Sequence, residues 1–517
     1  MPTDSRSPTL ARFAVASLPL LAMALHCGTA TVSSSPVEGA SNGSGTVDDI
    51  DDAGASSDGG YESGNRREGG GGRGAADGAP SAADSGFGPP PLYTRLSVGQ
   101  AHACAILSGG SVKCWGSNAE GRLGIGDTAS RGHAPGTMGA NLPSVALGTG
   151  RTAVSVSAGA TVTCAILDDG RVKCWGFNGT GGLGLGDLNN RGDQSGEMGD
   201  ALPAVDLGSG RTARNISVGL GHACAVLDTG ALKCWGENSA GQLGLGDRKA
   251  RGASPVEMSA LAAVDLGPGR KARAVHAGTR QTCVLLDDES VKCWGDNDLG
   301  TLGLGDSIGR GANAGEMGAA LPAINLGPGA RVLGVASGLH VFGLVADPHT
   351  CALLVTGAAK CWGSNGLGQL GVGDTDPRGK QPSEMGASLP VVGVGVGRTI
   401  AHLALGLGST CAILDNGQLK CWGYNAFGQL GLGDKVTRDG VSGGASAIPA
   451  LPPVDVGSGR MAKQIAVGTL SVCAILDNGS IRCWGDNSAG QLGLGDVAAR
   501  GDNPGEMGDA LPVVVLE

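Results

Sequence analysis

Fourteen of the fifteen cysteines fall into seven pairs, each pair ten positions apart: Cys104/Cys114, Cys164/Cys174, Cys224/Cys234, Cys283/Cys293, Cys351/Cys361, Cys411/Cys421 and Cys473/Cys483. Paired thiols at constant spacing mean disulfides in an exported chain, and metal or redox chemistry in a cytosolic one. A second set of polar residues recurs beside them. Asn stands four positions after each second Cys: Asn118, Asn178, Asn238, Asn297, Asn365, Asn425 and Asn487. Asp closes each Leu-Gly-x-Gly step, from Asp127 to Asp496, and Arg follows four residues later, from Arg131 to Arg500.

The cysteine spacing has a geometric reading. In CAILDDGRVKC (164–174), Asp168-Asp169-Gly170 suits a three-residue hairpin turn with Gly in the left-handed position. Leu167 then faces Arg171, and Cys164 falls opposite Cys174 at a non-hydrogen-bonded site. Backbones approach there to about 4.5 Å, within the range a disulfide tolerates. We therefore expect seven cross-strand disulfides; in a cytosolic chain the same residues would be buried free thiols.

The Asp set invites a metal reading, but calcium needs six or more oxygens. Each unit offers one invariant carboxylate with an Arg beside it, and such residues close turns and pair across loops. A bracing role, with no metal and no cofactor, is the expectation. Among the histidines, His102 and His222 open the second strand of their units, and His402 lies near the end of a first strand. His133, His276, His340 and His349 lie outside that slot. No Gly-x-Ser-x-Gly, His-Glu-x-x-His or Walker-type loop occurs. No catalytic constellation is visible, so the chain reads as a non-enzyme.

The elements that must position these residues repeat as well. All seven tryptophans lie in the Cys-Trp-Gly step, and the unit returns every 59 to 68 residues. A self-similar period governs the fold before length does. Each unit offers four short apolar pieces; in the third they are 213–218, 222–227, 231–235 and 261–266. Seven units of four strands predict an all-β, seven-bladed β-propeller over residues 92–517. The first piece carries small residues before its glycine, as crowding at a central axis demands, and is placed innermost. The alternative pairs the fourth piece with the next unit's first piece, so that residues 511–516 complete the blade begun at Tyr93.

A signal segment and a disordered linker precede the propeller. Residues 1–27 combine Arg6 and Arg12 with a thirteen-residue apolar run, FAVASLPLLAMAL, and end at Cys27. That is the layout of an export signal, with Cys27 placed for lipidation and ordinary secretion as the alternative. Residues 28–91 are rich in Gly, Ser and Asp and hold few large apolar residues. Such a segment does not bury enough surface to offset its chain entropy. As a tether its reach is roughly 45 Å.

The net charge of −10 argues against a phosphate-tracking surface, which needs clustered Lys and Arg. The partner is expected to be a protein, with the membrane reached only through the lipid, and the chain is expected to be monomeric. Its location would be the outer membrane or cell surface, or else secreted.

The motif VKCWGxNxxGQLGxGD, preceded by HACAIL, resembles the regulator-of-chromosome-condensation repeat over residues 92–517. The resemblance implies a seven-bladed propeller. It also implies a broad functional range: guanine-nucleotide exchange on a small GTPase in the nuclear prototype, β-lactamase inhibition in a secreted bacterial relative. The expected function is an exported, tethered protein-binding scaffold; the alternatives are an inhibitor of a secreted or periplasmic enzyme and an exchange-factor-like regulator. Partner contacts are expected where the repeat breaks. The fifth unit gains eight residues carrying His340 and Phe342, and Ser442-Gly443-Gly444 replaces Glu-Met-Gly in the sixth.

Overall fold

The computed structural model describes residues 30–32, 93–338, 348–439 and 448–517. The signal segment with Cys27, nearly all of the linker, His340, Phe342 and Ser442 to Gly444 lie outside the described residues. Among the described residues, seven antiparallel sheets of inner, middle and outer strand follow one another along the chain. The first blade is Tyr93–Val98, His102–Leu107 and Val112–Gly116; the seventh is Ala462–Val467, Ser471–Leu476 and Ile481–Gly485. A further strand, Ala30–Val32, pairs antiparallel with the inner strand of the sixth blade, Ile400–Leu405.

The hairpin forms as its turn residues dictate. Leu167 N donates to Arg171 O (2.9 Å) and Gly170 N to Leu167 O (2.9 Å). Gly170 has φ 78°, and Ile166 pairs with Val172 and Cys164 with Cys174. The same middle-to-outer register sets each cysteine opposite its partner, and all seven pairs are bridged. They are Cys104 with Cys114, Cys164 with Cys174, Cys224 with Cys234, and Cys283 with Cys293 in the first four blades. Cys351 with Cys361, Cys411 with Cys421, and Cys473 with Cys483 follow in the last three. Their Cα atoms lie 4.0 to 4.1 Å apart. That is closer than the roughly 4.5 Å of an unbridged site of this kind, because the bridge draws the two strands together. All fourteen cysteines are buried. They pack against the neighbouring blade, as Cys351 and Cys361 do with Leu403 and Leu405 of the sixth.

The inner strands surround the axis, and the glycines that end them show why small residues stand there. A Cβ on Gly99 would lie 2.4 Å from Gly159 O, one on Gly219 2.2 Å from Gly278 O, and one on Gly468 2.8 Å from Gly99 O. Each blade's turn occupies the space a side chain on its neighbour would need.

The fourth piece differs from expectation. Residues 261–266 are extended but form no ladder; one bond, Val264 N to Leu232 O (2.8 Å), docks them on the outer strand of their own unit. Their other polar groups are committed elsewhere. Asp265 Oδ1 accepts from Gly267 N (2.9 Å), and Asp265 O accepts from Gly318 N of the next unit (3.1 Å). The last unit behaves alike, with Val514 N on Ile481 O at 2.8 Å. Strand exchange with the Tyr93 blade is therefore not how the ring closes.

Closure instead repeats the contact made at every other junction. Each buried indole donates across a blade boundary to the preceding unit: Trp175 Nε1 to Arg122 O (3.1 Å), Trp235 to Gly182 O (3.0 Å), Trp294 to Gln242 O (3.0 Å). At the seam, Trp115 Nε1 reaches Gln491 O at 3.0 Å. Lys292 Nζ joins Leu266 O (3.0 Å) and Gly318 O (2.8 Å) across one junction. Lys113 Nζ joins Gly139 O and Leu516 O across the seam in the same way.

Candidate partner-binding face

The repeated polar residues face inward on their own loops. Asn238 Nδ2 donates to Asp247 O (2.8 Å) and Oδ1 (3.2 Å), while its Oδ1 accepts from Leu243 N (2.9 Å). Asp247 Oδ1 also accepts from Lys249 N (2.9 Å), and Oδ2 pairs with Arg251 at 2.7 Å. The same Asp–Arg pair recurs at 2.6 to 2.7 Å in all seven units. Partial burial raises the Asp247 carboxyl, but Arg251 and the Lys249 amide outweigh it and hold the group below its usual 3.8. These carboxylate oxygens are spent on bracing, and among the described residues no cluster of His, Cys, Asp and Glu suits a metal ion.

The histidines divide similarly. His222 Nε2 donates to Thr282 Oγ1 (2.9 Å), whose own proton goes to Gln242 O (2.8 Å). His102 makes the same bond to Thr163 (2.9 Å). His349 makes it to Thr410 (2.7 Å), which corrects its placement outside the slot: the fifth unit's insertion lies wholly before it. In the fourth blade Gln281 fills this slot and bonds Ser337 (2.6 Å) and Thr350 (3.1 Å). Burial pushes His222 down to about 4 and His349 to about 3; His276, on an inner strand, falls to about 3, with His222 adding to the effect. All three are neutral and buried, unsuited to proton transfer at neutral pH, and His222 and His349 also join one blade to the next. His402 is the third residue of its inner strand rather than near its end.

What varies lies at the end where the inner strand turns into the middle one. In blades other than the fifth this turn is short, as Gly99 N to His102 O (2.7 Å) shows. In the fifth, Gly338 N bonds His349 O (2.7 Å), so the residues flanking the insertion meet as in the other turns. Next to each turn sits the residue that follows Trp-Gly. Its amide bonds the turn: Ser117 N to Ala101 O (2.7 Å), Phe177 N to Thr161 O (3.0 Å), Tyr424 N to Gly408 O (2.8 Å). The seven backbones are alike, yet the side chains are Ser117, Phe177, Glu237, Asp296, Ser364, Tyr424 and Asp486. Phe177 is 37 % exposed and Tyr424 half-buried. Aromatic side chains of this kind anchor protein interfaces. The sequence reading passed over both, although the variable position inside an otherwise constant motif was the signal for them.

Comparison with known proteins places these features in context. Residues 93–122, 153–181, 213–242, 400–429 and 462–491 match one Regulator of chromosome condensation (RCC1) repeat family, and 109–166, 230–285 and 416–475 match a second of the same description. The chain is 29% identical over 421 residues to the Ultraviolet-B receptor UVR8 of Arabidopsis thaliana, covering 81% of this chain and 82% of the receptor. It is 28% identical over 342 residues to the E3 ubiquitin-protein ligase HERC2 of Homo sapiens, covering 66% of this chain but 6% of that protein. Among solved structures, yeast RCC1 (Prp20) bound to Kap60 superimposes with a TM-score of 0.56 at 19% identity, over 82% of this chain and 85% of that one. Human WBSCR16 gives 0.54 at 17% identity, over 77% and 92%. These two likenesses concern the fold.

Proposed function

Because the chain belongs to the regulator of chromosome condensation repeat family, we propose that it is a non-enzymatic propeller that binds a protein partner through the axial end carrying Phe177, Tyr424 and the fifth unit's insertion. The observation that carries this reading is the contrast at that end: seven backbone positions with the same amide bond present five kinds of side chain, two of them aromatic. The Asn, Asp and Arg that brace the same loops are, by contrast, the same in all seven units. His340 and Phe342, within the insertion, are further candidate contacts in this reading.

Export belongs to the proposal as well. Seven bridged cysteine pairs suit an oxidising compartment, and residues 1–27 carry the layout of an export signal ending at Cys27. In this reading the chain is held at the cell surface by a lipid on Cys27. Exchange on a small GTPase is the weaker alternative, since such partners sit in the reducing cytosol.

Photo-crosslinking in the cell-envelope fraction tests the proposal. A photoreactive residue at 177 or 424 should trap a defined protein, and Phe177→Ala with Tyr424→Ala should weaken its binding at least about tenfold, as for a pair of interface anchors. The same photoreactive residue at Asp477, on a hairpin turn at the opposite end, should trap nothing. Equal trapping from both ends would overturn the assignment of the face.

A further inference from the structure

Neighbouring inner strands touch around the axis but form no common sheet, so their backbone amides on the axial side need acceptors. In the second, third and fourth blades, side chains of the preceding blade supply them. Ala158 N donates to Ser97 Oγ (2.9 Å), Val218 N to Ser157 Oγ (3.1 Å) and Ala277 N to Ser217 Oγ (2.9 Å). Val275 N donates to Asn215 Oδ1 (2.9 Å). The donors are the fourth and sixth residues of an inner strand; the acceptors are the third and fifth residues of the strand before it.

One inner strand lacks both acceptors. Val332–Ser337, in the fifth blade, has Gly334 at its third position and Ala336 at its fifth. Every other inner strand keeps a side chain able to hydrogen-bond at one of the two: Ser97, Ser157, Ser217, His276, His402 or Gln464. The amides left without a side-chain acceptor belong to Leu403 and Leu405 of the next strand, Ile400–Leu405. That is the strand on which Ala30–Val32 lies, with Ala30 opposite Leu405 and Val32 opposite Leu403. The ladder phase agrees. Cys411 and Cys421, 4.1 Å apart at Cα, form a non-hydrogen-bonded pair, so Cys411 turns its own backbone groups to Ala404. Leu403 and Leu405 then direct theirs to the other side, at Val32 and Ala30.

We propose that the axial edge of the sixth blade is a strand-acceptor site, created by Gly334 and Ala336 and occupied by this chain's own segment Ala30–Val32. Backbone bonds supply the affinity, as in other cases of strand addition, and the small residues on the fifth blade leave room for the added strand. The N-terminal segment is thereby fastened to the propeller axis a few residues after Cys27. This does not depend on the partner proposed above.

Hydrogen exchange on the full chain, read at residues 30–32 and at the Leu403 and Leu405 amides, tests it. All of these should be protected in the unaltered protein. Val32→Pro removes the donor facing Leu403 O and should abolish protection at 30–32, Leu403 and Leu405, with the melting temperature unchanged. Ala336→Ser places a hydroxyl where Ser97, Ser157 and Ser217 stand. It should free residues 30–32 while Leu405 stays protected by the new acceptor. Full exchange of residues 30–32 at the earliest time in the unaltered chain would overturn the proposal. So would undiminished protection of Leu403 and Leu405 in Val32→Pro.

Discussion

The buried histidines make stability sensitive to acid. His222 is held at about 4, and His276 and His349 at about 3, from an ordinary value of 6.5. Between pH 6.5 and the folded values, the unfolded chain takes up protons that the folded chain refuses. Stability is therefore complete above pH 6.5 and falls as the pH drops through that window. Denaturant melts at pH 7 and pH 5 should show a lower midpoint at pH 5, and His349→Gln should shrink the difference. Gln is the natural test, because Gln281 already fills this slot in the fourth blade. A midpoint indifferent to pH would contradict the neutral, buried assignment. The role of His349 was hidden in the sequence, since the preceding insertion breaks the count from the inner strand. Counting backward from Cys351 restores it: His349 precedes its Cys by two positions, as His102 and His222 do.

Within an element, the long loop separates residues that brace from residues that decorate. Asn238 is buried and satisfies Leu243 N and two oxygens of Asp247. Asn238→Ala leaves buried backbone groups unpaired and should cost about 2–3 kcal/mol. Arg251 pairs with Asp247 at the surface, so Arg251→Ala should cost less than about 1 kcal/mol. Chemical denaturation of the two variants checks the order; a larger loss for Arg251→Ala would reverse the reading of the loop. The hairpin was legible because its turn chemistry and the ten-residue spacing agree on one register. The fourth piece was not. Its buried apolar pattern, Leu261, Val264 and Leu266, looks like a strand. Its backbone bonds run singly to Leu232 of its own unit and to Gly318 of the next rather than along a ladder, which no local pattern reports. Phe177 and Tyr424 escaped for a different reason: the repeat draws attention to what is constant, and they occupy its variable position.

Across the whole molecule, the ring is held by repetition of one kind of junction: a buried indole to a carbonyl and turns packed against turns at the axis, with Lys113, Lys292 and Lys360 each joining carbonyls of two units. Closure at Trp115 and Gln491 uses the same bond as the internal junctions. The axial glycines are its tightest point. Gly219→Ala would drive a Cβ to 2.2 Å from Gly278 O and 2.8 Å from the His222 ring, and should destabilise by at least about 2–3 kcal/mol. A thermal melt unchanged by that substitution would mean that the blades are less closely set. The seven-fold architecture and the cysteine register were readable in the sequence, because both rest on strict periodicity. The mode of closure was not, since it joins residues some 400 positions apart.

The central claim is that the fourteen repeat cysteines form a covalent framework suited to an oxidising compartment. The direct measurement is the mass of the protein taken from the cell envelope and alkylated under denaturing conditions, before and after reduction. No alkylation of the fourteen repeat cysteines before reduction, and full alkylation of all fourteen after it, is the predicted result. Alkylation of these pairs before reduction would contradict the account.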